Sequence, residues 1–94
     1  MNSIGRGVLL ANKTMTLANT EYSQATRAGL TKLLVQNRGL YDTKLSFTNG
    51  ESGTNYITIK GGMVYFEDMV DGGRTLYFQC ATAGQILEII GWER

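Results

Sequence analysis

The sequence predicts an all-β fold: a small antiparallel β-sandwich, jelly-roll-like, with an extended N-terminal arm. Three observations carry that expectation. Four runs between residues 30 and 67 alternate apolar and polar residues, or nearly so: Lys32-Leu33-Leu34-Val35-Gln36, Lys44-Leu45-Ser46-Phe47-Thr48, Tyr56-Ile57-Thr58-Ile59-Lys60 and Met63-Val64-Tyr65-Phe66-Glu67. A period of two makes strands with one buried face. Twelve glycines and no proline leave glycine to carry the turns, and many of the twelve fall at strand ends. Seven or eight short strands spaced by turns at this interval suit a sandwich or barrel.

Taken in order, residues 1–29 differ from residues 30–94, which form the sandwich domain. Val8-Leu9-Leu10-Ala11 and Thr14-Met15-Thr16-Leu17 read as short strands, and residues 18–29 as a polar loop. The segment is either an arm that packs on a neighbouring subunit or the first strands and a surface loop. Beyond it, Leu33 and Val35 are expected to face Phe47 and Leu45 across a wide loop of residues 37–43. Residues 49–55 form a second polar loop. Gly61-Gly62 is the tight turn of a hairpin in which Lys60 faces Met63, Ile59 faces Val64 and Ile57 faces Phe66. Asp71-Gly72-Gly73 makes a third turn. Residues 75–80 and 85–92 are expected to form a last hairpin across Ala81-Thr82-Ala83-Gly84, with Gly84 left-handed. That register pairs Cys80 with Gln85, Phe78 with Leu87 and Leu76 with Ile89.

This last pairing has a functional consequence. Leu76, Phe78, Leu87 and Ile89 fill the core face, so Tyr77, Ile86, Ile90 and Trp92 share the opposite one, with Gln79 and Glu88 among them. A face turned to water should not carry that much apolar area. Either the N-terminal arm covers this face from within the chain, or a neighbouring subunit or shell protein does; on the second, favoured reading Tyr77, Ile86, Ile90 and Trp92 are the candidate protein-interface residues.

Ninety-four residues make one domain with one modest core. Hydrophobic residues at 43% and aromatics at 10% are too abundant for disorder. A net charge of +1 gives no electrostatic case for nucleic acid or an acidic membrane surface. No apolar stretch approaches the roughly 20 residues of a membrane-spanning helix. Residues 4–11 are too short and glycine-interrupted for a signal-peptide core, so synthesis in the cytoplasm is expected.

Chemistry has few footholds. Histidine is absent, which removes the commonest general base and metal ligand together. The single cysteine, Cys80, excludes an internal disulfide and alternates with Leu76 and Phe78, so it reads as a buried small hydrophobe. The acidic run Glu67-Asp68-Met69-Val70-Asp71-Gly72 lacks the spacing of a calcium loop and reads as a solvated turn. The glycine pairs and Gly5-Arg6-Gly7 lack the strand–loop–helix setting of phosphate-binding motifs. Asn12-Lys13-Thr14 fits the glycosylation triplet without an export signal beside it. Tyr41, Tyr56, Tyr65, Tyr77 and Trp92 are residues that stack on sugars, which keeps a carbohydrate-binding face as the alternative. No catalytic, cofactor-binding or metal-binding residue is assigned, and no cofactor is expected.

The runs Lys32-Leu33-Leu34-Val35-Gln36-Asn37-Arg38-Gly39, Leu45-Ser46-Phe47 and Tyr56-Ile57-Thr58-Ile59-Lys60-Gly61-Gly62 carry a resemblance, together with Leu76-Tyr77-Phe78-Gln79 and Ala83-Gly84-Gln85-Ile86-Leu87-Glu88-Ile89. They resemble small β-sandwich accessory proteins of tailed-bacteriophage virions, which decorate or cement heads or serve as tail and fibre adaptors. The resemblance covers the last two thirds of the chain and brings no catalytic residues with it. It implies a non-enzymatic structural component of a phage particle, made in the host cytoplasm and located in the virion. The partners it implies are further copies of the chain and other virion proteins, the major capsid or tail proteins, with neither nucleic acid nor membrane.

Overall fold

Alternation along the chain turns into eight strands. In the computed structural model, which describes residues 7–68, 70 and 72–93, these are β1 (Gly7–Met15), β2 (Tyr22–Ala25), β3 (Leu30–Asn37) and β4 (Thr43–Ser46). They are followed by β5 (Ile57–Ile59), β6 (Val64–Glu67), β7 (Thr75–Cys80) and β8 (Gln85–Glu93). They build two four-stranded sheets, β1-β8-β3-β6 (sheet A) and β2-β7-β4-β5 (sheet B). Every ladder is antiparallel. The outer partnerships β1–β8, β2–β7, β3–β6 and β4–β5 describe one long hairpin. Rolling it up adds β3–β8 and β4–β7. This is an eight-stranded jelly roll.

The core lies between the sheets. Met15, Leu33, Val35, Leu87 and Ile89 point inward from sheet A, and Leu45, Leu76, Phe78 and Cys80 from sheet B, all of them buried. The expected inward set of the last two strands, Leu76, Phe78, Leu87 and Ile89, is thus the core set. Cys80 is buried as expected, and its thiol donates to the Asp42 carbonyl oxygen at 3.3 Å.

Three expected pairings are not formed. β5 and β6 lie in different sheets, so Ile59 faces Thr43 and Ile57 faces Leu45, while Val64 faces Gln36 and Phe66 faces Leu34. β3 and β4 are likewise in different sheets, so Leu33 and Val35 do not pair with Phe47 and Leu45 along a ladder. β7 and β8 are not a hairpin either: Phe78 pairs with Tyr22 and Leu45, and Leu87 with Lys13 and Asn37. In each case the connection passes from one sheet to the other. Period-two alternation dictates which side chains turn inward, but it is silent on which strand lies alongside.

The turn at Gly61-Gly62 shows why this happens. Met63 N–H donates to the Lys60 carbonyl at 2.9 Å, yet only Gly62 has a positive φ, +79°. That is a type II turn, whereas a two-residue hairpin needs the primed types whose twist matches the strands. The corner is held instead by Asn37, which is fully buried. Its side-chain amide donates to the carbonyls of Tyr41 and Ile59 at 2.7 and 2.8 Å, and its Oδ1 accepts from Gly39 N–H at 2.9 Å. Its backbone bonds to Met63 and Gly62. A Cβ at Gly61 would stand 2.5 Å from the Leu40 carbonyl carbon, so only glycine lets the two loops touch there.

Residues 7–29 supply β1 and β2. β1 pairs with β8 over its whole length and contributes Met15 to the core. The polar loop expected at residues 18–29 instead contains β2, a half-buried edge strand. Gly84 is left-handed as expected, with φ +82°. Gly5, Arg6 and Asp71 lie outside the described residues.

Candidate interaction surface

Three of the four expected interface residues, Ile86, Ile90 and Trp92, alternate with the buried Leu87 and Ile89 and so line the outer face of sheet A. Tyr77 does not join them. It projects from the outer face of sheet B, on the far side of the sandwich, because β7 and β8 belong to different sheets. The strand-by-strand alternation was sound, and the single shared face was not.

The register brings other apolar side chains to Ile90 instead. Leu10 lies beside it on β1, Leu34 on β3, and Phe66 beside Leu34 on β6. Leu10–Ile90–Leu34–Phe66 is an unbroken apolar row across all four strands. Leu10 is 62% exposed and Phe66 51%, whereas Ile90 and Leu34 on the central strands are half-buried by their neighbours. One flanking row holds Val8, Trp92 and Lys32, and the other Asn12, Glu88, Gln36 and Val64. The Arg38 guanidinium stands 3.9 Å from Glu88 at the margin. Sequence reading missed Leu10, Leu34 and Phe66, although each sits at an outward position of an alternating run.

The outer face of sheet B has a different chemistry. Ser23, Tyr77 and Ser46 form one row, and Gln79, Lys44 and Thr58 another. A loop of residues 48–55 folds over it and is clasped by Glu21. That carboxylate accepts from Gly50 N–H at 2.9 Å, Ser52 N–H at 3.0 Å and the Ser52 hydroxyl at 2.5 Å, and Gln79 donates to the same hydroxyl at 2.8 Å. Ser52 is fully buried. The Ser52 hydroxyl, and then the two backbone N–H groups, hold Glu21 below the usual carboxylate range against the opposing effect of burial.

A third cluster ties β6 to the start of β7. Arg74 makes a two-pronged ion pair with Glu67 at 2.6 and 2.5 Å, and Tyr65 donates to Glu67 at 2.5 Å. The guanidinium lies 5.0 Å above the Phe47 ring. Hydrogen bonds from Arg74 and Tyr65 keep Glu67 ionised below its ordinary range. All three polar groups are engaged with one another, so the cluster braces the open edge of the roll. The acidic run therefore splits: Glu67 is committed to Arg74, and among the described residues no three His, Cys, Asp or Glu side chains converge as a metal site would require.

The five aromatic residues considered for sugar stacking are not gathered together. Trp92 is outside sheet A, Tyr77 outside sheet B, Tyr65 faces inward, and Tyr41 is in the loop after β3. Tyr56 borders an open groove of 230 Å³ lined also by Ser46, Phe47, Thr48, Asn55 and Ile57.

No protein-family model matches the chain. No curated protein matches it either. Among solved structures, a de novo designed double-stranded β-helix has a TM-score of 0.55 and 15% identity over 93% of this chain and 99% of its own. A protein from Neisseria meningitidis has a TM-score of 0.48 and 14% identity, covering 97% of this chain and 78% of its own. A cupin-2 domain containing protein from Shewanella frigidimarina has a TM-score of 0.49 and 11% identity, covering 100% and 76%. The likeness is one of fold.

Proposed function

We propose that this chain is a non-enzymatic structural module that works by burying the outer face of sheet A against neighbouring protein. The observation that carries the reading is the apolar row Leu10–Ile90–Leu34–Phe66, which crosses all four strands without a charge. Apolar anchors surrounded by a polar margin are how protein interfaces are built. Asn12, Gln36, Glu88 and Lys32 supply that margin here. The assembly we assign it to is the virion of a tailed bacteriophage, as head decoration or cement or as a tail or fibre adaptor. That part of the proposal rests on the strand and turn runs that resemble such proteins.

One observation favours the sugar-binding alternative, the groove beside Tyr56 with Asn55 and Thr48 in its wall. Against it, the Lys44 ammonium sits 5.0 Å over the Tyr56 ring and covers a face on which a sugar would stack.

Particles assembled with Leu10→Glu in place of the wild-type protein provide the test. The expected result is loss of the protein from purified particles while the isolated variant remains folded, with no signal for the wild type on a glycan array. Normal incorporation of Leu10→Glu, or glycan binding abolished by Tyr56→Ala, would replace this reading with the alternative.

A further inference from the structure

The outer face of sheet A has a property beyond being apolar: it is complementary to itself. The face has four strands, so its midline runs between β8 and β3. A two-fold axis laid along that midline, in the plane of contact, places each residue of β8 over the residue of a second copy that is its own cross-strand neighbour on β3. The in-sheet register therefore specifies the contacts. Ile90 of one copy meets Leu34 of the other, Trp92 meets Lys32, and Glu88 meets Gln36. At the flanks, Leu10 meets Phe66.

The same register lays Asn12 on Val64, a polar–apolar meeting at the flank; the other meetings are chemically favourable. Ile90 on Leu34 and Leu10 on Phe66 are apolar contacts, with two copies of each generated by the axis. Lys32 over the Trp92 indole is a cation above an aromatic face. Glu88 opposite Gln36 is a carboxylate that accepts from an amide. No like charges meet. A two-fold axis laid across the strands does worse, because it seats the Trp92 ring on the Glu88 carboxylate of the second copy and Lys32 on Gln36. An indole neither donates to a carboxylate through its face nor offsets the lost hydration, so that seating is unfavourable.

Size and charge agree. The strands hold nine (β1), nine (β8), eight (β3) and four (β6) residues; at about 4.8 Å spacing and about 3.4 Å per residue they cover roughly 490 Å², so two faces remove at most roughly 1,000 Å² together, the lower bound for a specific interface. The net charge of +1 sets up little repulsion between copies.

We infer that the protein forms a two-fold dimer in which the outer faces of sheet A pack against each other, with Ile90 of each copy on Leu34 of the other and Lys32 over Trp92. The inference rests on the proposed role of this face and names its occupant, a second copy of the chain.

Sedimentation of wild-type, Ile90→Lys and Leu34→Glu proteins from about 1 µM to 1 mM reads the outcome. The wild type should be dimeric in the upper part of that range. Either substitution should weaken the dimer by at least about 30-fold, as loss of a central anchor does. Mixing the two variants should restore it, because the introduced ammonium on one chain then meets the introduced carboxylate on the other while the second Ile90–Leu34 contact stays intact. Lys32→Ala should weaken the dimer less, with its effect reduced at high salt.

A monomeric wild type throughout the range overturns the dimer. A dimer that survives Ile90→Lys lies elsewhere on the molecule and also overturns it, and failure of the mixture to associate overturns the axis. Incorporation of Ile90→Lys into particles separates these results from the wider reading. Loss of incorporation from a monomeric wild-type background leaves the face functional with another partner, whereas normal incorporation removes the role of the face as well.

Discussion

Across sheet A the outward residues at one level are Leu10, Ile90, Leu34 and Phe66, while a comparable level of sheet B reads Ser23, Tyr77 and Ser46. Both sheets turn buried apolar side chains inward, Leu33, Val35, Leu87 and Ile89 from one and Leu45, Leu76 and Phe78 from the other. The chain also covers part of sheet B with its own residues 48–55, held by Glu21 and Ser52. Nothing among the described residues is clasped over sheet A in that way. Two layers of one small core thus meet their surroundings by different means. Sheet B satisfies its outer face within the molecule. Sheet A keeps apolar area that no other described residue covers, and that asymmetry is why we propose interaction for sheet A.

The comparison can be broken most forcefully from inside. Phe78→Ala in sheet B and Leu87→Ala in sheet A should both be severe, about 3–5 and 2–5 kcal/mol respectively in denaturant unfolding. If one were mild, the interior would not be shared evenly and the contrast between exteriors would lose its baseline.

A smaller effect should separate the exteriors. Glu21→Ala leaves the Ser52 hydroxyl and two loop N–H groups without their acceptor, and should cost about 1–2 kcal/mol. The pH dependence has a definite sign. Both Glu21 and Glu67 titrate below the ordinary value of 4.5 in the folded chain. Their stabilisation is complete above that value and is lost as pH falls through their folded-state values. Acid unfolding should therefore begin at higher pH in Arg74→Met, which releases Glu67, than in wild type. An unchanged acid midpoint would mean that Glu67 gains nothing from Arg74.

The smallest effect belongs to sheet A. Ile86→Glu and Trp92→Ala should change the melting of the monomer by no more than about 1 kcal/mol, because both side chains lie on the outer face. A collapse in melting would make this face part of the core.

Much of this fold was legible in the sequence because facing is a local property. Alternation in Leu76-Tyr77-Phe78 and in Leu87-Glu88-Ile89 is enough to tell inward from outward, and both runs obey it. Partnership is not local. It depended on whether a turn stays in one sheet or crosses the core, and that was decided by groups far apart in sequence, such as Asn37 bonding Ile59 and Tyr41. A buried asparagine in a polar-looking run gives no periodic signal. β1 was legible only in pieces, since Asn12 and Lys13 interrupt its apolar residues, and β2 is polar because only one side of it is shielded. The proposed interaction face suffered the same way. Ile86, Ile90 and Trp92 were found from one strand, Tyr77 was carried along by a hairpin that does not exist, and the rest of the row needed the register.

The roll also sets a schedule for self-organisation. β4–β5 is the one ladder between strands consecutive in the chain; every other ladder joins strands separated by at least two others. Closing such long loops before any contact rewards them is slow, so folding in milliseconds to seconds is expected rather than microseconds. β8 lies between β1 and β3 and is the last of the eight to leave the ribosome. Until it arrives, β1 has no neighbour and β3 only β6. From its own emergence until that of β8, the nascent chain therefore carries β1 unpaired, with Val8, Leu9 and Leu10 open to any other strand edge. Crowded polysomes, where several such chains emerge side by side, are where misassembly of this protein would begin.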